Sequence, residues 1–477
     1  MTGASRDGDE LTLELPDAVR HVLESLHAGG AEAALVGGGV RDAVRGERPT
    51  DWDVATSVPP EAVVERFPRA TWENRFGTVT VLPERDGDPA VEVTTYRVEG
   101  PYRDRRRPDS VRWGGSLAED LARRDFTINA IAWVPLDLAA GRGRILDPHD
   151  GAGDLERGLL RAVGDPDERI AEDALRMVRA VRFATRFGLR IDEATSAAIR
   201  RHAAAAAGLS GERLHDELRR ILSGDAPPSR AFALMEELGL LAVILPELAA
   251  LRGVPQAKAL PGDALDHSLR TVDALPAGDP TLRLAGLVHD LGKATTLADG
   301  HFIGHEKAGA EIAEGLLRRL RASRAETARV VRLVRHHMFA YTPDWTDAAV
   351  RRFVRRVGAD LLEDLYALRR ADNLASGASE PATGGIDELR GRAARALAGD
   401  PLGPGQLAVD GHDLVRELGI TPGPEVGRVL TGLLEAVLDD PGRNRREFLL
   451  ALARRLLAEA GGASPQREDR GAPAAGG

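Results

Sequence analysis

The sequence of 477 residues contains no cysteine. A disulfide framework and a zinc site with cysteine ligands are therefore excluded, and any bound metal must use histidine, aspartate or glutamate. No stretch approaches the roughly 18 to 20 consecutive apolar residues that cross a bilayer, and the N-terminal segment MTGASRDGDE carries acids where a signal peptide has bases. These absences predict a soluble cytoplasmic protein without a membrane partner.

Lysine is also scarce, because Lys258, Lys293 and Lys307 are the only lysines among 64 basic residues. The formal net charge of −10 argues against a simple nucleic-acid-coating protein, whose phosphate contacts usually require a basic surface. The segment from Arg97 to Arg124 nevertheless holds eight arginines against five acids. A locally basic surface is therefore expected inside an acidic chain.

Composition and periodicity divide the chain into regions of different structure. Residues 1–14 and 461–477 are small, polar and rich in glycine and proline, which predicts disordered ends. After a helix predicted at residues 17–28, short apolar runs with β-branched residues predict strands. From about Arg169 onward, amphipathic stretches rich in alanine, leucine, arginine and glutamate predict an almost entirely helical remainder.

A glycine turn lies in the segment LVGGGVRDAVRGERPTDWDVAT. A strand predicted at residues 34–36 runs into three consecutive glycines, which begin at Gly37, and then into a helix predicted at residues 40–45. Glycines at such a turn let backbone N–H groups approach a phosphate closely.

Two aspartates follow this turn. Asp51 and Asp53 lie in a predicted strand, where the two-residue period places both carboxylates on one face. Such a pair can hold two Mg²⁺ ions for in-line nucleotidyl transfer. The alternative is an ordinary glycine turn followed by an Asx turn, and either motif alone is weak evidence. Together they resemble the polymerase-β-like nucleotidyltransferase superfamily, in which a glycine pair, a helix and Asp-x-Asp follow in this order.

Three later motifs resemble one branch of that superfamily. RRDFTINAIA (residues 123–132), DPHDGAGDL (residues 147–155) and EDALRMVRAVRFA (residues 172–184) are similar to the second, third and fourth motifs of the class II bacterial CCA-adding enzymes and poly(A) polymerases. The resemblance covers residues 34–222 motif by motif and continues more loosely beyond. It implies template-independent addition of C and A from CTP and ATP to the 3′ end of tRNA, with Mg²⁺ as cofactor.

The fourth motif also has a chemical interpretation. In a helix, Asp173 and Arg176 are neighbours at i, i+3. Adenine and cytosine present an exocyclic amine donor beside a ring-nitrogen acceptor, which an aspartate acceptor and an arginine donor match. Guanine and uracil present the opposite pattern, so a protein pocket can select ATP and CTP without a template. The alternative is a surface ion pair between the two side chains.

The resemblance also implies roles for individual residues. The metal ligands and catalytic residues are Asp51 and Asp53. The nucleotide-binding residues are Gly38, Arg41, Arg124, Asp173, Arg176, Arg179 and Arg182. Arg124 is equally a candidate for a structural ion pair. Glu92 is a candidate third carboxylate, because an acid is unusual in the middle of a strand. Residues 100–111 resemble the mobile loop of the family, and residues 208–222 its fifth motif, a helix that braces the neck and needs no assigned chemistry.

A second constellation of histidines and aspartates lies downstream. It resembles the HD phosphohydrolase superfamily, and its centre is the His–Asp pair at the end of the predicted helix LRLAGLVHDLGK, which Gly292 is expected to cap. The expected metal ligands are His267, His289, Asp290 and Asp372, and a second metal position would use His305 and one of His336 or His337. These donors suit Mn, Fe, Ni, Zn or Mg. The sequence leaves open whether the site hydrolyses a substrate or is a relic that braces the helical body.

The expected fold class is α+β. It consists of a polymerase-β-like nucleotidyltransferase head with a mixed sheet, followed by an all-helical neck and body containing an HD-type domain. The expected boundaries are 15–150 for the head, 151–225 for the neck with its nucleotide-selecting helix, 226–380 for the body with the HD domain, and 381–460 for a helical C-terminal region.

Three other functions compete with CCA addition. A poly(A) polymerase or an A-adding enzyme of the same family shares almost every motif, whereas the basic loop and the Asp–Arg pair favour C and A addition over C-only addition. The second is an HD phosphohydrolase with an inactive, RNA-binding head. The presence of both Asp51 and Asp53 argues against this function. A non-enzymatic RNA-binding scaffold would have no need for that carboxylate pair.

Overall fold

The computed structural model describes residues 4–72, 77–85, 87–99, 111–256, 258–379 and 384–461. The chain divides into two compact units. The first comprises residues 1–254, 263–284 and 314–327, and the second residues 255–262, 285–313 and 328–477. The expected mobile loop (100–111) and the expected disordered tail (461–477) lie outside the described residues, apart from one terminal residue of each. In the part of the chain that is described, no helix is long and apolar enough to cross a membrane.

A nine-stranded mixed sheet organises the N-terminal part of the first unit, as the sequence predicts. Its region contains the strands β1 Ala4–Asp7, β2 Glu10–Leu13, β3 Ala33–Val36, β4 Asp53–Thr56, β5 Ala70–Trp72, β6 Thr78–Val81, β7 Val91–Thr95, β8 Arg97–Glu99, β9 Val111–Trp113, β10 Ala132–Asp137 and β11 Arg142–Leu146. The strand order is β1-β2-β11-β10-β3-β4-β7-β6-β5, while β8 and β9 pair separately. Strands β4 and β7 are parallel, and the other neighbours in the large sheet are antiparallel.

Each face of this sheet carries its own hydrophobic core. The helices here are α1 Asp17–Ala28, α2 Gly38–Val44, α3 Pro60–Arg66, α4 Leu117–Ala122 and α5 Gly151–Glu156. Val54 packs into the core that contains the buried side of α1, and Ala55 packs with Leu121 of α4 on the opposite face. Because strand residues alternate between faces, Asp53 lies on the face of Ala55. The carboxylate of Asp53 is therefore directed away from α1.

The expectation of a disordered N-terminus is wrong for residues 4–13, which form the β1–β2 hairpin at one edge of the sheet. Leu11 and Leu13 are almost fully buried, and the indole Nε1 of Trp133 donates a 2.7 Å hydrogen bond to the Leu11 carbonyl. The prediction relied on the polar composition of the segment and missed that Leu11 and Leu13 alternate with polar residues. The burial of these two leucines provides enough apolar surface to order the segment.

Beyond the sheet the chain is helical, as predicted. The first part contains α6 Pro166–Glu172, α7 Leu175–Phe187, α8 Glu193–His202, α9 Gly211–Ser223, α10 Pro228–Glu237, α11 Leu241–Ile244, α12 Pro246–Ala249 and α13 Ala264–Asp273. Two short parallel strands, β12 (Leu159–Leu160) and β13 (Arg190–Ile191), are the exceptions among the described residues of this region.

The remaining helices complete the described chain. They are α14 Pro280–Val288, α15 Lys293–Thr296, α16 His305–Arg319, α17 Arg324–His336, α18 Asp347–Val357, α19 Leu362–Ala375, α20 Gly384–Gly399, α21 Gly411–Leu418, α22 Pro424–Asp439 and α23 Arg446–Gly461. The last three enclose a small core around Leu414, Leu433 and Leu449.

Candidate active site

The glycine turn between β3 and α2 contacts the carboxylate segment. Gly37 has φ +75°, and a β-carbon there would lie 2.9 Å from Asp53 Oδ2. A β-carbon at Gly39 would lie 2.4 Å from the Asp51 carbonyl oxygen. A side chain at either position would displace the acidic segment, so both glycines are required for this close approach. Gly38 begins α2, where a β-carbon would lie 3.4 Å from Arg41 Nη2.

Three carboxylates gather beside this turn. Asp53 opens β4 and is in register with Glu92 on the parallel strand β7, while the exposed Asp51 lies two residues earlier. Asp51 was expected inside the strand, but β4 begins only at Asp53. Burial raises the pKa of Asp53 to about 6, and repulsion from Glu92 and Asp51 adds to this against the attraction of Arg124. A set of oxygen donors under mutual repulsion fits a hard divalent cation such as Mg²⁺.

Arg124 joins this acidic group to the turn. Its Nη2 donates to Asp120 Oδ2 at 3.1 Å, and its Nη1 donates to the Asn129 carbonyl at 3.3 Å. A β-carbon at Gly37 would lie 3.2 Å from the same Nη1. The predicted alternative of a structural ion pair is therefore realised through Asp120, while one edge of the guanidinium faces the glycine turn.

Arg41 is buried beneath the turn. Its Nε donates to Asp42 Oδ1 at 2.9 Å and its Nη1 to Asn129 Oδ1 at 2.7 Å. The guanidinium carbon lies 4.4 Å from the ring centroid of Phe187. Burial lowers the pKa of Arg41, and Asp42 opposes this shift. These contacts fix the position of the Arg41 side chain. Only the guanidinium N–H groups that they do not use could bind a ligand at the turn.

Two residues of the second motif were missed as candidates. Asn129 donates through Nδ2 to Asp125 Oδ1 at 3.0 Å, and Asp125 Oδ2 accepts from Arg179 Nε at 2.8 Å. Burial alone raises the pKa of Asp125, but Arg179 and Asn129 outweigh it and bring that pKa to about 2. Asn129 thus links Arg41 to Arg179 through Asp125. Their place in RRDFTINAIA was the available signal.

The fourth motif does not form the helical pair that was expected. Asp173 has extended backbone angles (φ −150°, ψ 107°) and separates α6 from α7, so it is not a helical neighbour of Arg176. Its Oδ1 accepts from the backbone N–H of Leu175 at 3.0 Å. Its carboxylate is held by Arg213 of α9, with Nη1 3.1 Å from Oδ1 and Nη2 2.6 Å from Oδ2.

Arg176 is held by other groups. Its Nη1 donates to Glu172 Oε2 at 2.8 Å and to the Arg169 carbonyl at 3.1 Å, and its Nη2 donates to the Arg123 carbonyl at 3.3 Å. A surface ion pair between Asp173 and Arg176 is therefore not formed.

Two further arginines of α7, Arg179 and Arg182, contact α9. Arg182 Nε donates to Glu217 Oε2 at 2.6 Å, and both side chains are less than a tenth exposed. Arg179 Nη1 lies 3.7 Å from Glu217 Oε1. The fifth motif was predicted to brace the neck without chemistry. It does brace α7 through Glu217, but it also supplies Arg213 to Asp173, and sequence reasoning missed that contact.

A second cluster lies in the second unit, around the buried Asp290. His305 Nε2 and His337 Nε2 lie 3.5 Å and 3.7 Å from Asp290 Oδ1, and His289 Nε2 lies 3.2 Å from Oδ2. Ligand atoms of Asp290, His305 and His337 all fall within 4.8 Å of one another. Of the two candidates His336 and His337, the structure therefore brings His337 to the cluster.

The three imidazoles of this cluster share one orientation. The Nδ1 atoms of His289, His305 and His337 each lie 2.7 to 2.8 Å from a backbone carbonyl, those of residues 286, 302 and 334. A carbonyl partner makes Nδ1 the protonated nitrogen and leaves Nε2 as the electron-pair donor. All three Nε2 atoms face Asp290, so these nitrogen atoms and the carboxylate could together bind a divalent cation.

Cationic side chains border the same cluster. Lys293 Nζ lies 2.6 Å from Asp290 Oδ2, and Lys258 Nζ lies 3.4 Å from Asp372 Oδ1. Burial alone raises the pKa of Asp290, but the neighbouring His289, His337 and Lys293 hold that pKa well below its usual range. Asp290 is thus a carboxylate that is available as a ligand.

Two other expectations for this region concern His267 as a metal ligand and Gly292 as a helix cap. His267 lies buried on α13, in the first unit, and its carbonyl accepts from Thr271 Oγ1 at 2.9 Å. Gly292 is not a left-handed helix cap, since its φ is −64°. A β-carbon there would lie 2.1 Å from the His305 carbonyl. This glycine instead permits close packing of the His289–Asp290 turn against the start of α16.

Three family models match successive parts of the chain. The poly A polymerase head domain matches residues 33–161, the probable RNA and SrmB-binding site of polymerase A residues 188–251, and the HD domain residues 265–377. The head-domain match contains the glycine turn and the three carboxylates. The HD match contains His267, Asp372 and the histidine cluster around Asp290.

Similar proteins cover nearly the whole chain. The A-adding tRNA nucleotidyltransferase of Deinococcus radiodurans is 37% identical over 85% of this chain and 91% of its own length. The CCA-adding enzyme of Lactiplantibacillus plantarum is 32% identical over 92% of this chain and 95% of its own length. The crystal structure of the Bacillus stearothermophilus CCA-adding enzyme in complex with CTP has 29% identity and a TM-score of 0.69, covering 94% of this chain and 98% of that one.

Proposed function

This chain belongs to the tRNA nucleotidyltransferase family that carries the poly(A) polymerase head domain, and on that premise we propose that it adds C, C and A to the 3′ end of tRNA from CTP and ATP without a template, releasing pyrophosphate in the cytoplasm. The observation that carries this proposal is the grouping of Asp51, Asp53 and Glu92 beside the turn at Gly37.

The residues of the head domain have distinct roles in the proposed reaction. Asp51 and Asp53 hold Mg²⁺, with Glu92 as a third carboxylate on the same face. Bound there, two Mg²⁺ ions would activate the RNA 3′-hydroxyl and neutralise charge on the triphosphate. Gly37 keeps side chains out of the space next to Asp53, and the donors of Arg124 that face the turn bind phosphate oxygens.

Base selection is assigned to the fourth motif. Asp173 accepts a hydrogen bond from the exocyclic amine of cytosine or adenine, and Arg176 donates to the adjacent ring nitrogen. Both side chains are fixed by protein contacts, which lowers the cost of presenting them to the base. Gly38, Arg41, Arg179 and Arg182 complete the nucleotide site. Arg182 acts there by fixing the position of α7, since it is buried against Glu217.

A nucleotide-addition assay tests this proposal. A tRNA that ends at the discriminator base is incubated with CTP alone, ATP alone, or both, and the added nucleotides are counted on a sequencing gel. CCA addition gives two nucleotides with CTP alone and three with both. An A-adding enzyme extends only a tRNA that already ends in CC, and a poly(A) polymerase adds a long run from ATP. The similarity to the Deinococcus radiodurans enzyme makes A addition the alternative to test first.

A second proposed function concerns the HD domain. Head domains and HD domains both use divalent metals, and we propose a metal site at His289, Asp290 and Asp372, with His305 and His337 at a second position. The shared orientation of the imidazoles supports it. A phosphohydrolase reaction is the corresponding activity. Metal analysis of the purified protein would show which of Mn, Ni, Fe, Zn or Mg binds.

A further inference from the structure

The ion pair between Arg213 and Asp173 differs in its exposure from the ion pair between Arg182 and Glu217, which also involves α9. The side chains of Arg213 and Asp173 are 34% and 26% exposed, whereas Arg182 and Glu217 are 7% and 5% exposed. The more exposed pair therefore lies where a ligand can reach the carboxylate of Asp173.

The hydrogen bonds of Asp173 leave a defined acceptor. A carboxylate offers about four acceptor positions, two on each oxygen. On Oδ1 both are taken, by the N–H of Leu175 and by Arg213 Nη1. On Oδ2 one is taken, by Arg213 Nη2. One acceptor position on Oδ2 remains, and a cytosine or adenine presents one exocyclic amine to this side chain.

The donors of Arg176 are restricted in the same way. Its two Nη1 hydrogens are directed to Glu172 and the Arg169 carbonyl, and one Nη2 hydrogen to the Arg123 carbonyl. The Nε hydrogen and one Nη2 hydrogen remain. The backbone and Glu172 therefore orient the donor of the pair, and Arg213 orients the acceptor.

We propose that Arg213 is a specificity-determining positioning residue. Its two-pronged contact fixes the carboxylate plane of Asp173, so that the remaining Oδ2 acceptor meets the exocyclic amine of CTP or ATP. Without Arg213 the carboxylate rotates freely and is hydrated, and a water molecule can then bridge it to the carbonyl of uracil or guanine. The inference rests on the proposed function of Asp173 in base selection.

The test compares kcat/KM for all four nucleoside triphosphates in three variants. Arg213→Ala is expected to reduce the preference for CTP over UTP, and for ATP over GTP, by about 5- to 150-fold, the range for one hydrogen bond to a charged group. Arg213→Lys should be intermediate, because an ammonium cannot bridge both oxygens in fixed geometry. Arg219→Ala is the matched control: this arginine is also on α9 and pairs with a buried carboxylate, Glu326, but does not contact Asp173. It should leave the preference unchanged.

A double substitution tests whether Arg213 acts through Asp173. In the Asp173→Asn background, Arg213→Ala should cause no further loss of preference. The proposal is overturned if Arg213→Ala lowers kcat/KM equally for all four nucleotides, or raises only the KM for tRNA. Failure of the proposed function is a separate result, because the unaltered protein would then not add C, C and A in the addition assay, or Asp173→Asn would leave its nucleotide preference unchanged.

Discussion

Asp53 and Glu92 occupy paired positions on the parallel strands β4 and β7, so that two carboxylates leave the same face of the sheet side by side. Burial and the charge of Glu92 raise the pKa of Asp53 from 3.8 to about 6. In the metal-free protein the repulsion between these carboxylates opposes folding. A cation bound between them would be attracted by both and would remove this cost.

Asp53→Asn should abolish nucleotide addition and stabilise the metal-free protein. Removing the raised-pKa carboxylate relieves up to about 3 kcal/mol of unfavourable charge at pH 8. Thermal unfolding in EDTA measures this as a higher Tm for the variant. Added Mg²⁺ should then stabilise the unaltered protein and leave Asp53→Asn nearly unaffected. Equal stabilisation of both by Mg²⁺ would contradict the metal assignment.

The pH dependence of Mg²⁺ binding follows from the same pKa. Because the folded-state pKa lies above the unfolded value, the stability contributed by protonated Asp53 is complete below about pH 4 and is lost as pH rises through about 6. Metal needs the charged form, so Mg²⁺ affinity should fall about tenfold for each pH unit below 6. Titration calorimetry at pH 5 and pH 7.5 measures this difference. Constant affinity across that range would show that Asp53 is not a ligand.

Gly37→Ala should inactivate the enzyme by displacing Asp53. Gly46→Ala is the control, because Gly46 has a similar φ of +78° but no atom within 4 Å of an added β-carbon. Both variants should lose about 1 kcal/mol of stability from the positive φ. Only Gly37→Ala should also lose Mg²⁺-dependent addition by at least about tenfold. Matching activities in the two variants would mean that the approach of Gly37 to Asp53 is not needed.

Asp173→Asn tests base selection directly. The amide keeps the size of the carboxylate but can place a donor where an acceptor stood, so discrimination against UTP and GTP should relax by about 5- to 150-fold. Arg176→Ala should instead weaken CTP and ATP together, because both use the same donor. Steady-state kcat/KM for each nucleotide measures both effects. An unchanged preference in Asp173→Asn would place base selection elsewhere.

Asp290→Ala should remove bound metal and any phosphohydrolase activity from the HD domain while nucleotide addition continues. The neighbouring imidazoles would lose the carboxylate that they face. Metal content per chain and hydrolysis of a chromogenic phosphoester report on the HD site, and the addition assay reports on the head. Parallel loss of both activities, with a lowered Tm, would indicate a structural role for Asp290.

The elements that sequence predicted best are those with strong local signals. Helix α1 was predicted at residues 17–28, where the structure has it, and the glycine turn and mixed sheet follow the predicted order. The residues that were missed depend on contacts over long sequence separations. Arg213 lies 40 residues from Asp173, and Asn129 lies 88 residues from Arg41. Periodicity carries no information about such pairs, and the extended backbone at Asp173 removed the i, i+3 geometry on which its prediction relied.

The N-terminal hairpin has a practical consequence for anyone who shortens this chain. A protein that begins at Glu14 would lose β1 and β2, and β11, which pairs with β2, would become an unprotected sheet edge able to pair with another molecule. The indole N–H of Trp133 would lose its acceptor on Leu11 in the same step. Self-association of such a shortened protein would then reflect the exposed strand rather than any natural oligomer.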